Sequence, residues 1–187
     1  MTGRKGNSVS QTWIDPNEGF AELFATIKRS SWRWECQGYY RVDDEAVQRW
    51  LDGEPTVDGT EYQEWRHYIR GLNEAGIPFQ RARMLTEPLN DYLRWMLATT
   101  TQHNVAAGED IRWLSENLAR QLEMPGYDFF LFDDDRVVIM EFNDDKLLAS
   151  VELVDDPDVV QHHQQLRDRV WAHAVPHLEY LGQNVTR

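Results

Sequence analysis

The stretch Pro78-Phe-Gln-Arg-Ala-Arg-Met-Leu-Thr-Glu-Pro-Leu-Asn-Asp-Tyr-Leu-Arg-Trp-Met-Leu97 changes its period in the middle. From Pro78 through Leu85 it reads as a strand. From Pro88, a residue suited to the first turn of a helix, the apolar positions Leu89, Tyr92, Leu93, Met96 and Leu97 recur at spacings of three and four, which only a helix brings onto one stripe. A strand, a tight loop and a helix in direct succession form the repeating unit of an α/β sheet.

The same logic extends toward the N-terminus. Thr60 to Ala75 places Tyr62, Trp65, Ile69 and Leu72 on one helical face, and Gly76 ends that helix. A loop with Gly53, Pro55 and Gly59 precedes it, and a short helix over Asp43 to Leu51 precedes the loop. Ser31 to Cys36 alternates, with Trp32, Trp34 and Cys36 on one face and Arg33 and Glu35 on the other, as a strand with one covered face does. Asp15, Pro16 and Glu18 supply a side-chain cap, a first-turn proline and a capping-box carboxylate, predicting a helix from there to about Arg29. Residues 1–12 are small and polar with no period and read as a flexible arm.

Toward the C-terminus, Ile111 to Leu114 reads as a short strand, Ser115 caps a helix ending near Met124, and Pro125 with Gly126 breaks it. Three strands then follow without an intervening helix: Tyr127 to Phe132, Arg136 to Phe142, and Leu147 to Val154 after the turn Asn143, Asp144, Asp145. Pro157 opens a last helix to about His173, with Val159, His163, Leu166 and Val170 inward. The expected fold is one α/β (α+β) domain over residues 13–181, a mixed and partly parallel sheet with an antiparallel meander, covered by helices, and a flexible end at 182–187. No repeat period marks a solenoid or propeller.

Composition narrows the function. The 32 acidic residues exceed 19 basic ones, and a formal charge of -13 repels nucleic acid and anionic membranes, so neither is an expected direct partner. Residues 128–158 hold eleven carboxylates against Arg136 and Lys146, a net of -9. The single cysteine, Cys36, rules out an internal disulfide; with no secretory run or membrane-spanning stretch, the expected location is the cytoplasm.

Three motifs, Glu87-Pro-Leu-Asn-Asp-Tyr-Leu-Arg-Trp95, Asn104-Val-Ala-Ala-Gly-Glu-Asp-Ile-Arg-Trp-Leu114 and Pro125-Gly-Tyr-Asp-Phe-Phe-Leu-Phe-Asp-Asp134, occur in that order and together resemble an actinobacterial family of domains of unknown function, the DUF 6879 type. The likeness covers roughly residues 18–180. It implies a setting beside helix-turn-helix regulators and transfers no catalytic residues. A weaker likeness joins the three strands and closing helix, ending Trp171-Ala-His-Ala-Val-Pro176, to regulatory domains similar to a degenerate half of the phospholipase D-like fold. Catalysis in that fold needs a His-x-Lys, and the three lysines here, Lys5, Lys28 and Lys146, follow no such histidine.

Other catalytic and metal signatures are missing as well. There is no Gly-x-Ser-x-Gly elbow and no phosphate loop. Asp133, Asp134 and Asp135 with Asp144 and Asp145 lack the glycine a calcium loop needs, Val138 standing in its place, and read as a solvated turn. His163 sits on an apolar stripe, and Pro176 separates His173 from His177, so no metal site and no cofactor is expected. Cys36 shares its strand face with two tryptophans and reads as core.

The binding candidates lie elsewhere. Arg81 and Arg83, two apart on one strand and hence about 7 Å apart on one face, are spaced to grip a carboxylate or phosphate, and Arg33 joins them from the first strand. Glu87, Asp91, Arg94 and Trp95 sit on the less apolar side of the following helix. The bland alternative is a lattice of salt bridges closing on the acidic meander. The absent catalytic signatures, the many aromatics and the divided charge point to a non-catalytic binding or regulatory module with a protein partner, and the family resemblance implies that this partner is a helix-turn-helix transcriptional regulator. The rival readings are a hydrolase or phosphodiesterase acting on an anionic substrate, and a sensor of a small anionic molecule with a cleft near Trp95.

Overall fold

The computed structural model describes residues 11–16, 18–54 and 60–185. Its elements are β1 (Gln11–Ile14), α1 (Glu18–Phe24), β2 (Ser31–Glu35), α2 (Asp44–Leu51), α3 (Thr60–Glu74), β3 (Phe79–Leu85), α4 (Asp91–His103), β4 (Asp110–Ser115), α5 (Glu116–Gln121), β5 (Asp128–Phe132), β6 (Arg136–Phe142), β7 (Leu148–Val154), α6 (Pro157–Trp171), β8 (Val175–Pro176) and α7 (His177–Val185). Short 3-10 turns occur at Arg41–Asp43 and Val105–Ala107. The strands form one mixed sheet in the order β1-β7-β6-β5-β2-β3-β4-β8. β2, β3 and β4 run parallel, and every other pairing is antiparallel, as the alternation followed by a meander predicts.

Both faces of the sheet are covered. On one, Trp32, Trp34, Ala82, Leu114, Phe129, Leu131 and Val137 pack against Ala119 of α5 and Val160, Leu166 and Val170 of α6. On the other, Phe79, Phe130, Phe132, Val138 and Met140 meet Leu23 of α1 and Ile69 of α3, while Leu85, Ile111 and Trp113 meet Val47 of α2 and Tyr92, Leu93, Trp95 and Met96 of α4. Directly paired residues of adjacent strands project to the same side. The register therefore sets Arg33 beside Arg81, and Glu35 beside Arg83, on the face under α1 to α4.

Several element ends differ from the sequence expectation for local reasons. Asp15 accepts from the Glu18 amide at 2.9 Å as its cap role predicts, yet α1 stops at Phe24, short of Arg29. The chain tightens over Ala25 to Ile27, and the carboxylate of Asp133 then captures the amides of Lys28, Arg29 and Ser30. Pro88 stays in the loop, its bond to Glu87 cis, and α4 begins at Asp91 because Asn90 accepts from the Leu93 amide. α5 ends at Gln121, since Glu123 takes a left-handed conformation. The arm read over residues 1–12 lies outside the described residues up to residue 10; Gln11 and Thr12 belong to β1, which pairs with β7. The loop residues Pro55 and Gly59 also lie outside the described residues. β8 and α7, which the sequence reading passed over, close the far edge beside β4.

α7 is tied down by a buried histidine. Trp113 Nε1, which can only donate, gives its proton to His177 Nδ1 at 2.9 Å, so the ring's other nitrogen, 2.8 Å from Thr101 Oγ1, carries the hydrogen. That arrangement requires a neutral imidazole, and burial holds its pKa below the usual value. A folded pKa below the unfolded value of about 6.5 means that the unfolded chain takes up the proton first, so stability is full above that pH and declines as the pH falls. Urea denaturation at pH 7 and pH 5 should show wild type losing stability across that interval, and His177→Gln, weaker at pH 7, losing less of it. Equal losses in the two proteins would remove His177 from the account.

Candidate functional site

The charged residues of β2 and β3 sit on the sheet face beneath the helices, away from solvent. Glu35 is 2% exposed and Arg83 is 1% exposed. Three guanidiniums converge on the Glu35 carboxylate: Arg33 Nη1 at 2.9 Å, Arg81 Nη1 at 3.2 Å and Arg83 Nη1 at 2.6 Å. Arg81 turns its Nε to Glu109 at 2.8 Å, and Asn104 Nδ2 holds the other oxygen of Glu109 at 2.8 Å. Arg33 reaches toward Asp128 at 3.7 Å. Asp128, the first residue of β5, is fully buried; its carboxylate accepts from the Cys36 amide at 2.9 Å and from the Tyr40 hydroxyl.

Aromatic rings complete the cluster. The Arg83 guanidinium lies 5.0 Å from the centre of the Tyr40 ring and 5.3 Å from that of Tyr92, and Arg33 lies 4.9 Å from that of Phe130. The Tyr92 hydroxyl donates to Asp43 at 2.6 Å. Even so, the guanidiniums are incompletely matched: Nε and Nη2 of Arg83 and Nε of Arg33 are buried with no hydrogen-bond partner among the described residues. Buried polar groups of native proteins are nearly always partnered, so such atoms call for an explanation.

Ionisation follows from these contacts. Burial alone would raise the pKa of Glu35, but the charges of Arg33, Arg81 and Arg83 outweigh it and hold the carboxyl far below its usual range. Burial pushes Asp43 and Asp128 up, against the pull of Tyr92 and Arg33 respectively. Burial, reinforced by the negative charge of Asp128, drives the Cys36 thiol well above its ordinary value, the opposite of a reactive thiolate; Cys36 itself is half-buried just past β2, packed against the core without belonging to it.

The cluster floors a cavity of about 670 Å³ between the sheet and the helices. Arg33, Glu35, Arg81 and Arg83 supply its polar floor; Phe20 and Phe24, Tyr62 and Trp65, and Trp95 with Met96 supply walls from α1, α3 and α4. Val42 and Leu147, both well exposed, line it with Lys146 and place its opening between the Arg41–Asp43 turn and the β6-β7 hairpin.

Of the residues singled out from the sequence, Arg33, Arg81, Arg83 and Trp95 meet at this cavity. Glu87, Asp91 and Arg94 do not: all three are exposed, and Asp91 pairs with Arg94 on the outer side of α4 while Trp95 turns inward. The anion between the arginines is supplied by the chain itself, as Glu35, which the alternation had placed on an outer face with Arg33. Glu109, Asp128, Tyr40, Asp43 and Tyr92 are further members that sequence reasoning missed. The aspartates after β5 are not one solvated turn either. Asp133 is buried, Asp134 pairs with Arg167, and Asp135 pairs with Arg29 and Arg136. Among the described residues no group of three or more histidine, cysteine or acidic side chains is placed to hold a metal ion, and no helix is long and apolar enough to cross a membrane.

Comparison with known proteins bears on this chain only at the level of family. The family model for Domain of unknown function (DUF6879) matches residues 18–182. No curated protein sequence matches. Among solved structures, TrmBL2, an archaeal chromatin protein described as showing a novel mode of DNA binding, aligns with a TM-score of 0.47 at 12% identity over 93% of this chain and 55% of its own. Phosphatidylserine synthase from Haemophilus influenzae aligns with a TM-score of 0.46 at 10% identity over 90% of this chain and 40% of its own. The chain thus spans about half the length of the first and less of the second, and likenesses this loose carry no argument.

Proposed function

We propose that this chain, which belongs to the DUF6879 family of domains of unknown function, is a non-catalytic module that binds a small molecule and acts through a protein partner. One observation carries the reading: a cavity of about 670 Å³ with aromatic walls rests on buried guanidiniums whose donors are not fully matched among the described residues. Cavities of this size, mostly apolar with a few convergent polar groups, suit small organic ligands.

The hydrolase reading has less support. A general base works best with a pKa near the operating pH, and Glu35 is held far below it by three arginines. Asp43 and Asp128 are pushed upward, but Asp43 is engaged by a tyrosine hydroxyl and Asp128 by a tyrosine hydroxyl and a backbone amide. Burial and the charge of Asp128 push the Cys36 thiol up, which works against a thiolate nucleophile.

For the partner, a helix-turn-helix regulator with a basic surface suits the carboxylates that remain exposed, among them Asp144, Asp155 and Asp158. Attraction of this kind is screened by salt. Mass spectrometry of what co-purifies with the chain from its native host tests both halves together. An organic molecule released on denaturation, in near-stoichiometric amount and missing from a cavity-filling Met96→Trp variant, is the expected result. A basic protein that washes off as salt rises is the expected companion. Equal small-molecule content in the two proteins would refute the ligand half, and a partner indifferent to salt would refute the electrostatic half.

A further inference from the structure

We infer that the cavity takes a planar aromatic anion, its carboxylate or phosphate oxygens seated on the Nε–Nη2 edge of Arg83; this rests on the ligand-binding reading above. A guanidinium offers its donors along fixed edges, and the edge shared by Nε and Nη2 presents two parallel N–H groups at the spacing of two oxygens of one carboxylate or phosphate. In Arg83 the remaining nitrogen, Nη1, is committed to Glu35 at 2.6 Å. Among the described residues Nε and Nη2 are the two atoms with no partner, so the edge suited to an oxyanion is the one left unmatched there.

Its surroundings select the rest of the ligand. Arg33 adds a third unmatched donor, its Nε, and shares with Arg83 the Glu35 carboxylate, which brings the two guanidiniums within the span of one small anion. Lys146 lines the same cavity, so Arg33, Arg81, Arg83 and Lys146 outnumber the two carboxylates of the lining, Glu35 and Asp43, and the balance of charge favours an anion. Tyr40 and Tyr92 flank Arg83 with ring centres 5.0 and 5.3 Å from its carbon, and Phe24, Trp65 and Trp95 stand on the helix side. Inorganic phosphate or acetate would satisfy the edge but leave the walls uncovered. An aromatic body satisfies both, because rings pack favourably edge to face against such walls.

The test uses the full chain and three probes of one shape: 1-naphthoate, 1-naphthyl phosphate and the neutral 1-naphthamide, titrated calorimetrically. At least one of the anions is expected to bind about tenfold or more tightly than the amide, the gain of one charge-assisted donor pair. Whichever of the two binds better identifies carboxylate or phosphate as the natural head group. Arg83→Lys keeps the charge and loses the fork, and should erase the preference for anions over the amide. Should that variant fail to fold, Arg33→Lys, at a partly exposed position, should reduce the same preference severalfold. Equal binding of the amide and both anions, or a preference unchanged in the lysine variants, overturns this inference and leaves the cavity reading intact. No binding by any of the three overturns both.

Discussion

Glu35→Gln is expected to cost about 3–5 kcal/mol of folding stability, the loss seen when one partner of a buried ion pair is removed and the other stays behind. The substitution preserves size, so no void complicates the result. Its weight comes from what each arginine has left. Arg81 keeps Glu109, and Arg33 keeps its approach to Asp128, but among the described residues Glu35 is the only acidic group paired with Arg83. Without it a guanidinium 1% exposed to solvent has only the faces of Tyr40 and Tyr92 to offset its desolvation. A domain of this kind has about 5–15 kcal/mol in total, so much of the stability would be gone. Urea denaturation checks the prediction, and the double variant Glu35→Gln with Arg83→Met should recover more than half of the loss by removing the stranded charge. A single-variant loss below about 1 kcal/mol, or no recovery in the double variant, would mean that water reaches Arg83 freely and that the cluster is no buried network.

That network also marks where sequence reading stops. Strands and helices were legible because period is a local property. Trp32 and Trp34 alternate with charged neighbours, and the Phe79–Leu85 strand is followed after a five-residue loop by a helical stripe. Alternation, however, says only that two faces differ. It cannot say that the charged face of Ser31–Glu35 lies under α1 to α4, because that cover arrives from segments distant in the chain. Arg81 finds Glu109 28 residues away and Glu35 46 residues away, and Cys36 finds Asp128 92 residues away. Asp128 was counted with the acidic excess of its neighbours, although it opens the fully buried strand β5. A signal was nonetheless present: two strands carrying arginines at alternate positions, in a chain whose helices must cover both sheet faces, require carboxylates beneath the helices. Trp95 was misplaced for a related reason. The stripe predicted for one covered face of α4 leaves it outside, whereas α4 buries Tyr92, Leu93, Trp95 and Met96 together, more than one face's worth.

Asp133→Ala is expected to cost about 2–4 kcal/mol, because this carboxylate organises the chain between α1 and β2 through hydrogen bonds to a charged acceptor. Its Oδ1 accepts from the amides of Arg29 at 2.7 Å, Lys28 at 3.0 Å and Ser30 at 3.2 Å, and Arg136 Nη2 approaches its Oδ2 at 2.7 Å. Alanine strands those amides and adds strain, since residue 133 has φ of 57°, a conformation that aspartate and asparagine tolerate better than alanine. Asp133→Asn retains an acceptor oxygen and the backbone preference, so it should cost roughly half as much as the alanine variant. Burial works against the charged form of Asp133, but the amides of Arg29, Lys28 and Ser30 and the charge of Arg136 prevail and hold its pKa below the usual value. A folded pKa below the unfolded one places this stabilisation above about pH 4 and removes it as the pH falls through the folded value. Wild type should therefore lose stability on acidification from pH 5 to pH 3 more steeply than Asp133→Asn, measured by thermal denaturation across that range. Parallel curves for the two proteins would show that the Asp133 charge is not what anchors the turn, leaving the geometry of its oxygens as the whole of its contribution.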